Sequence, residues 1–369
     1  MATSLNYADY NFASIVSQLQ TILSANDEVW DSYESSTATM LIELFAYVGE
    51  MLMYTAERRA QESYLPTAQL KSSVIALVRL VNYQPSRVIS STGTLTFSIA
   101  SPNAVNIYIP KYTRCTTANG TQFLTATDCI LFAGSTSVSV DGIQGINITF
   151  SFVSNGTAYQ DYTIDDTGVE NNNLFILGGS WNPVTSFVEA ESTSQVYTVQ
   201  LNNDETVTVN FGDNIFGMIP LINTTVSGNY IQSVGSAGNV YTTGIITNLI
   251  DSISDENGNS VILTVTNSST FLGGADAEDI ESIRYNAPRI FATAERDVTA
   301  NDYIADLENY PSVAAVNVWG ENEVNPPNIT MLNQVNIVML LDGWNLPGTN
   351  FLEQISLYLQ TRAQLTVQY

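Results

Sequence analysis

The sequence predicts an α+β chain of several domains, with an N-terminal helical domain over residues 1–90, a β-rich middle over 91–270 and a C-terminal α/β domain over 271–369. Three observations predict it. Apolar residues recur at helical spacing as far as Val81, the period changes to two from about Ser91 to Thr270, and helix starts alternate with strand runs beyond Phe271. At 369 residues and 44% hydrophobic content, the chain has apolar material for two or three cores.

The first helix is predicted over 9–25, where Phe12, Ile15, Val16, Leu19, Ile22 and Leu23 form one stripe. The polar run 32–39 supplies N-cap residues for a long helix in which Leu41, Leu44, Phe45, Val48, Met51 and Leu52 share a face. Pro66 ends that helix, and Thr67 begins a third with Leu70, Val74, Leu77, Val78 and Val81. Two readings follow. Either these stripes bury one another in a three-helix domain, or part of the apolar surface is left for a partner. Burying one large apolar side chain contributes roughly 1.5–3 kcal/mol, so half a dozen unmatched positions would drive intermolecular bundling.

In the middle, the runs TLTFSI, NIYIPKY, INITFSFV, QVYTVQL, TVTVNFG and SVILTVT are rich in β-branched and aromatic residues and read as strands. Asn119-Gly120, Asp141-Gly142, Asn155-Gly156 and Asn257-Gly258 read as hairpin turns. The alternation breaks over 171–183, which suggests an insert spanning 128–203. In FGDNIFG, residues 211–217, Asp213 and Asn214 read as a tight turn between two strands, flanked by Gly212 and Gly217.

Beyond it, Gly273 and Gly274 end a strand. Asp276 reads as the N-cap of a helix over 277–291, with Glu278, Asp279 and Glu281 in its first turn. Thr299 and Asp302 are spaced as a capping box for a helix through Tyr303, Ile304 and Leu307 that stops at Pro311. A strand over 313–319, a loop at Asn325, Pro326 and Pro327, a strand over 334–341, a turn over 342–348 and a helix over 350–364 follow. LTVQY, residues 365–369, starts a further strand, whose open edge predicts completion by another chain or by more polypeptide.

Charge and composition exclude several chemistries. Eleven Lys and Arg stand against 36 Asp and Glu, a net −25, and no cation occurs between Arg114 and Arg284. Contacts that neutralise phosphates dominate nucleic-acid affinity, so neither nucleic acid nor an anionic membrane is an expected partner. The absence of histidine removes Ser-His-Asp and Cys-His mechanisms together with the commonest metal ligand. Cys115 and Cys129, 14 residues apart, either face each other across a hairpin or are buried free thiols, the reading favoured because nothing else points to an oxidising compartment. The opening residues lack a signal-peptide pattern and no apolar run is long enough to span a bilayer, which predicts a soluble protein made in a cytoplasm.

Candidate chemistry is sparse. Asp276, Glu278, Asp279 and Glu281 are the densest carboxylates, but they lack calcium-loop spacing, and a helix start already accounts for them. Asp165-Asp166 and Glu189 with Glu191 are the pairs a glycosidase reading would use, although such residues are ordinary at strand ends. No catalytic residue, metal ligand or cofactor is predicted. Arg284, Arg289 and Arg296 either complement the end of their helix or pair with acidic residues of a neighbouring copy.

GGADAEDIESIRYNAPR (273–289), ERDVTANDY (295–303) and YPSVAAVNVWGE (310–321) together resemble the baseplate wedge family of contractile-tailed phages, whose J-like members are called baseplate assembly proteins. FGDNIFGMIP (211–220), then Tyr230, then GSAGNV (235–240), is similar to the family's FGDG-x-FG-x-x-P, Tyr, G-x-x-GN series, with Asn214 where the family commonly has Gly. LIELFAYVGEML, YTAERRAQESYLPTA and VNYQP resemble its helical opening, and IPKYT with GTQFLT a further β segment. The motif positions are Phe211, Gly212, Asp213, Gly217, Pro220, Gly238, Asn239, Gly273, Gly274, Asp276, Arg284, Pro288, Arg296, Asp302 and Tyr303.

The resemblance implies a structural, non-enzymatic subunit of a tail baseplate wedge in the virion, assembled in the host cytoplasm, which relays conformational change toward sheath contraction. It implies further copies of the chain, a second wedge subunit and other baseplate or sheath-proximal proteins as partners, and a ring-forming C-terminal domain. It also implies a helical bundle made through Leu41, Leu44, Phe45, Val48, Met51, Leu52, Leu70, Val74 and Leu77. A tail-associated adhesin or glycan-binding protein is the alternative, though one would usually show repeats that this chain lacks. A carboxylate-based glycan hydrolase is a more distant one.

Overall fold

The computed structural model describes residues 11–26, 37–176, 180–188, 190–294, 296–310, 313–320, 334–341, 346–347, 349–360 and 362. The chain divides into two compact units, Met1–Asn82 and Tyr83–Tyr369.

The first unit is helical: α1 (Phe12–Asn26), α2 (Thr37–Glu62) and α3 (Lys71–Arg79). α1 packs along α2, and Ile15 reaches the α2 backbone at Gly49. Most of the polar run expected to cap α2 lies outside the described residues. α2 ends at Glu62, ahead of Pro66, and α3 begins at Lys71 rather than Thr67. The reason is local. The Thr67 hydroxyl donates to the Gln61 and Tyr64 carbonyls and closes the turn after α2. The Glu62 carboxylate then accepts the amides of Gln69 and Leu70, doing for the start of α3 what a side-chain cap would do.

The second unit opens with a β assembly. Its strands are β1 (Thr92–Ser98), β2 (Ile107–Ile109), β3 (Arg114–Thr117), β4 (Gln122–Thr125), β5 (Cys129–Leu131) and β6 (Ser137–Gln144). The chain then leaves through β7 (Ile146–Val153), β8 (Asp161–Ile164), β9 (Val169–Ile176), β10 (Asn182–Pro183), β11 (Val196–Leu201), β12 (Val207–Phe211) and β13 (Thr225–Gln232). It returns with β14 (Ile246–Leu249), β15 (Ile253–Ser254), β16 (Ser260–Val261) and β17 (Thr264–Asn267). The first sheet runs β14-β3-β4-β6-β1-β17, antiparallel throughout. It curls into a near-barrel, because the Asn267 side chain at the end of β17 accepts the amides of Ile245 and Ile246 at the start of β14 and donates to the Thr242 and Ser269 carbonyls. Leu95, Phe97, Ile107, Ile109, Phe123, Val265 and Phe271 fill it.

Residues 146–232 form a sandwich of two sheets, β7-β13-β9 facing β10-β11-β12-β8, around Val169, Ile176, Trp181, Tyr197, Val209, Phe211 and Tyr230. Within 128–203, β5 and β6 therefore pair with strands of the first assembly and β7 to β11 belong to the second. Of the expected hairpins, Asn119-Gly120 joins β3 to β4 and Asn257-Gly258 joins β15 to β16. Asp141-Gly142 instead lies inside β6, paired with Thr94 and Gly93, and Asn155-Gly156 links β7 to β8, which sit in different sheets. Cys115 is a buried free thiol, and Cys129 is free and half-buried.

The C-terminal part has α4 (Ile280–Thr293), α5 (Ala300–Glu308), the antiparallel pair β18 (Val313–Trp319) and β19 (Asn336–Leu341), and α6 (Thr349–Gln360). Tyr303, Leu307, Val318, Met339, Ile355 and Leu359 form its core. α5 starts in the expected capping box: the Thr299 hydroxyl accepts from the Asp302 amide at 3.3 Å, and the Asp302 carboxylate accepts from the Thr299 amide at 2.8 Å. The helix over 277–291 is corrected to Ile280–Thr293 with Asp279, not Asp276, as its N-cap; the Asp279 carboxylate takes the Ser282 amide at 2.7 Å. Pro326 and Pro327, most of the 342–348 turn and the 365–369 strand lie outside the described residues.

Candidate functional site

α2 is apolar around most of its circumference. The buried stripe of Thr39, Ile42 and Ala46 continues through Gly49, where Ile15 reaches the helix. On the rest of the surface, Leu41, Leu44, Phe45, Val48, Met51 and Leu52 are exposed, Phe45 at 67% and Leu52 at 65%. Met40, Tyr47 and Tyr54 extend this exposed surface. A helix apolar all round is normally covered on every side, whereas this face is open among the described residues. Of the α3 positions expected to share it, Leu70 is exposed, Leu77 is half-buried and Val74 is fully buried, which removes Val74 from any open face. On α2, Arg58 donates to Gln69 of the same unit.

The 211–220 motif builds a closed loop. It joins β12 to β13, which lie in different sheets, so it is a crossing between layers and not a hairpin. Asp213 accepts the amides of Ile215 and Phe216 at 2.9 and 2.7 Å and the Tyr159 hydroxyl at 2.7 Å, contacts that hold its carboxyl below the usual range. Asn214 sits at φ 66°, and its side chain accepts from the Ile219 amide. Asn tolerates this left-handed backbone better than other residues with a side chain, which suits it to the position. The Pro220 carbonyl takes the Ser154 hydroxyl. A Cβ on Gly212 would lie 2.3 Å from the Gly217 carbonyl oxygen, a backbone atom with nowhere to go. Gly212→Ala is expected to lower stability by about 1–3 kcal/mol, read as a denaturant midpoint shift at unchanged slope; an unshifted midpoint would show that the loop yields freely.

A second junction joins motif segments far apart in sequence. Asn239 donates to the Gly274 carbonyl and accepts from the Gly274 amide, both at 2.9 Å. Asp276 accepts the Ser236 amide and hydroxyl, which is why it does not cap α4. The Ser91 hydroxyl donates to the Gly238 carbonyl at 2.6 Å. A Cβ on Gly274 would lie 2.6 Å from the Gly235 carbonyl oxygen, so this close approach needs glycine. Gly273 stands at φ 85° beside it. These residues fasten the 3₁₀ turn Gly235–Gly238 to the segment that leads into α4.

The remaining carboxylates of the 276–281 cluster diverge in the same way. Glu278 accepts from the Tyr83 hydroxyl, the Ser86 amide and Asn286, and Glu281 pairs with Arg284. Among the described residues, no group of three or more His, Cys, Asp or Glu side chains is placed to hold a metal ion. Asp166 is engaged by the Gly168 amide, the Tyr230 hydroxyl and Gln232, and Glu189 lies outside the described residues. Arg289 pairs with Glu308 at 2.8 Å and lies over the Tyr285 ring, so both it and Arg284 have anionic partners in their own chain; Arg296 is exposed. Pro288 lies inside α4, and Tyr303 is buried in the C-terminal core. Among the described residues, no helix is long and apolar enough to cross a membrane.

One cluster has no motif in the sequence. Asp306 and Asp297 are each 1% exposed; Asp306 accepts from the Tyr358 hydroxyl and from Arg362, while both Asp297 oxygens lack a hydrogen-bond partner among the described residues. Burial, with Asp306 nearby, pushes the Asp297 carboxyl up to about 6. The folded chain therefore holds a proton that the unfolded chain releases, so this contribution to stability is present at low pH and is lost as pH rises through about 6. Asp297→Asn is expected to flatten the pH dependence between about 4 and 6 and to raise the melting temperature at pH 8 by on the order of 4 °C. Parallel pH profiles for the variant and the parent would sink the assignment.

Residues 11–80 match the N-terminal domain of the bacteriophage baseplate protein family. The chain is 26% identical over 331 residues to the baseplate wedge protein gp6 of Enterobacteria phage T4, covering 79% of this chain and 48% of that one. It thus spans about half the length of the curated relative it matches. Among solved structures it aligns with a chain of the anti-feeding prophage baseplate at a TM-score of 0.36 and 10% identity, over 96% of this chain and 69% of that one.

Proposed function

We propose that the chain is a wedge subunit of a phage tail baseplate, repeated around a central hub. It bundles its N-terminal helices with a second copy and another wedge protein, and it passes a conformational change toward the sheath. The observation that supports this most is the open apolar face of α2, from Leu41 to Leu52, on a helix whose opposite stripe is already occupied. The junctions at 211–220 and at Asn239 with Gly274 supply stiff connections of the kind a force-bearing subunit needs. An epitope inserted at the exposed Asn257-Gly258 turn, labelled with gold in purified particles, is expected to decorate the distal end of the tail. Label on the capsid, along the tail tube or on no particle would reject the assignment.

A further inference from the structure

The sandwich of residues 146–232 ends in an exposed apolar tip that the α2 interface does not use. Val153 at the end of β7, Tyr159 in the β7–β8 connection, and Ile215, Phe216, Leu221 and Ile222 in the β12–β13 crossing are all exposed, Ile215 at 67% and Leu221 at 68%. They sit at one end of the sandwich: Gly156 lies against Ile222, Tyr159 bonds to Asp213, and the Asn223 amide donates to the Ser154 carbonyl. The tip is held by the side chains of Asp213, Asn214 and Gln160, which accept the amides of Ile215, Ile219 and Asn155, and by the Ser154 hydroxyl, which donates to the Pro220 carbonyl, so little freedom is left to lose on binding.

Its electrical surroundings select the occupant. Residues 146–232 contain nine Asp and Glu and no Lys or Arg. Asp213 is in the tip itself, and exposed Glu191 adjoins it through the Gly217 amide. Two such tips would set carboxylates against carboxylates, and an anionic lipid surface would meet the same repulsion. We propose that this tip docks a different protein chain, one that presents an apolar pocket rimmed by Lys and Arg. The motif at 211–220 is then the scaffold of a binding tip as well as a crossing between sheets. This inference rests on the assembly reading only for where the partner is found.

The test incorporates photoreactive benzoylphenylalanine at Ile215 of the full chain during particle assembly and, in a separate sample, at Phe45 of α2. After irradiation, the joined peptides are sequenced. The Ile215 probe is expected to join a different chain at a segment with apolar residues beside Lys or Arg. Leu221→Ser with Ile222→Ser should lower that yield by about tenfold without moving the melting temperature. A join to another copy of this chain, to lipid or to nothing overturns the proposal. The Phe45 probe reads the α2 interface independently, so a silent Ile215 beside a productive Phe45 sinks the tip alone, and the reverse sinks the wedge bundle alone.

Discussion

Leu44→Glu combined with Val48→Glu is expected to weaken association of the chain with the partners of the proposed assembly and to leave the isolated chain folded. Both side chains are already in water, so the free protein loses little; its main cost is a like-charge pair one helical turn apart, roughly 0.2–0.5 kcal/mol. In the complex the same positions would be desolvated, and a buried carboxylate without a partner costs several kcal/mol, on the order of 3 or more. At about 1.4 kcal/mol per decade, the pair should weaken association by roughly a thousandfold at least. Sedimentation of the variant mixed with its neighbours, beside a melting curve of the variant alone, checks both halves. Unchanged association would remove α2 from the interface.

The largest expected loss of stability is at Phe271. Its ring is fully buried in the near-barrel, edge-on to Phe123 at a centroid separation of 4.9 Å, and it lies over the glycines of β1 and β6, Gly93 and Gly142. Its backbone exchanges hydrogen bonds with Val240 at 2.7 and 2.8 Å, so the ring is anchored at the place where the 235–240 segment meets the sheet. Phe271→Ala removes the ring from a site walled in part by the backbone of Gly93 and Gly142, which limits how far it can close in, and about 3–5 kcal/mol is expected. That is a large part of the stability of an ordinary domain. Equilibrium unfolding in denaturant measures it, and a loss below about 1 kcal/mol would mean that the barrel collapses onto the gap.

Features of this molecule set by nearby residues were legible in its sequence. The capping box of Thr299 and Asp302 depends on two residues three apart, and the structure has it as read. The helical stripe of α2 and the change to period two were equally local. What was misread depended on partners far along the chain. Asp276 has the composition of a helix cap, but Ser236, forty residues earlier, takes its carboxylate, and Asp279 inherits the cap. Asp141-Gly142 has the composition of a turn, yet its pairing with Gly93 and Thr94 holds it inside a strand. Buried Asp306 and half-buried Arg362 pair across 56 residues and leave no pattern that spacing would reveal. The face of α2 lies between these cases: the stripe was visible, but which side α1 covers is a matter of packing.

The most direct test of the wedge reading is native mass spectrometry of the purified chain, alone and after co-expression with the products of adjacent reading frames. A complex containing two copies of this chain and one neighbour, or a similar fixed ratio that forms only when the neighbour is present, is the predicted result. A monomer that remains a monomer beside every neighbour would contradict it.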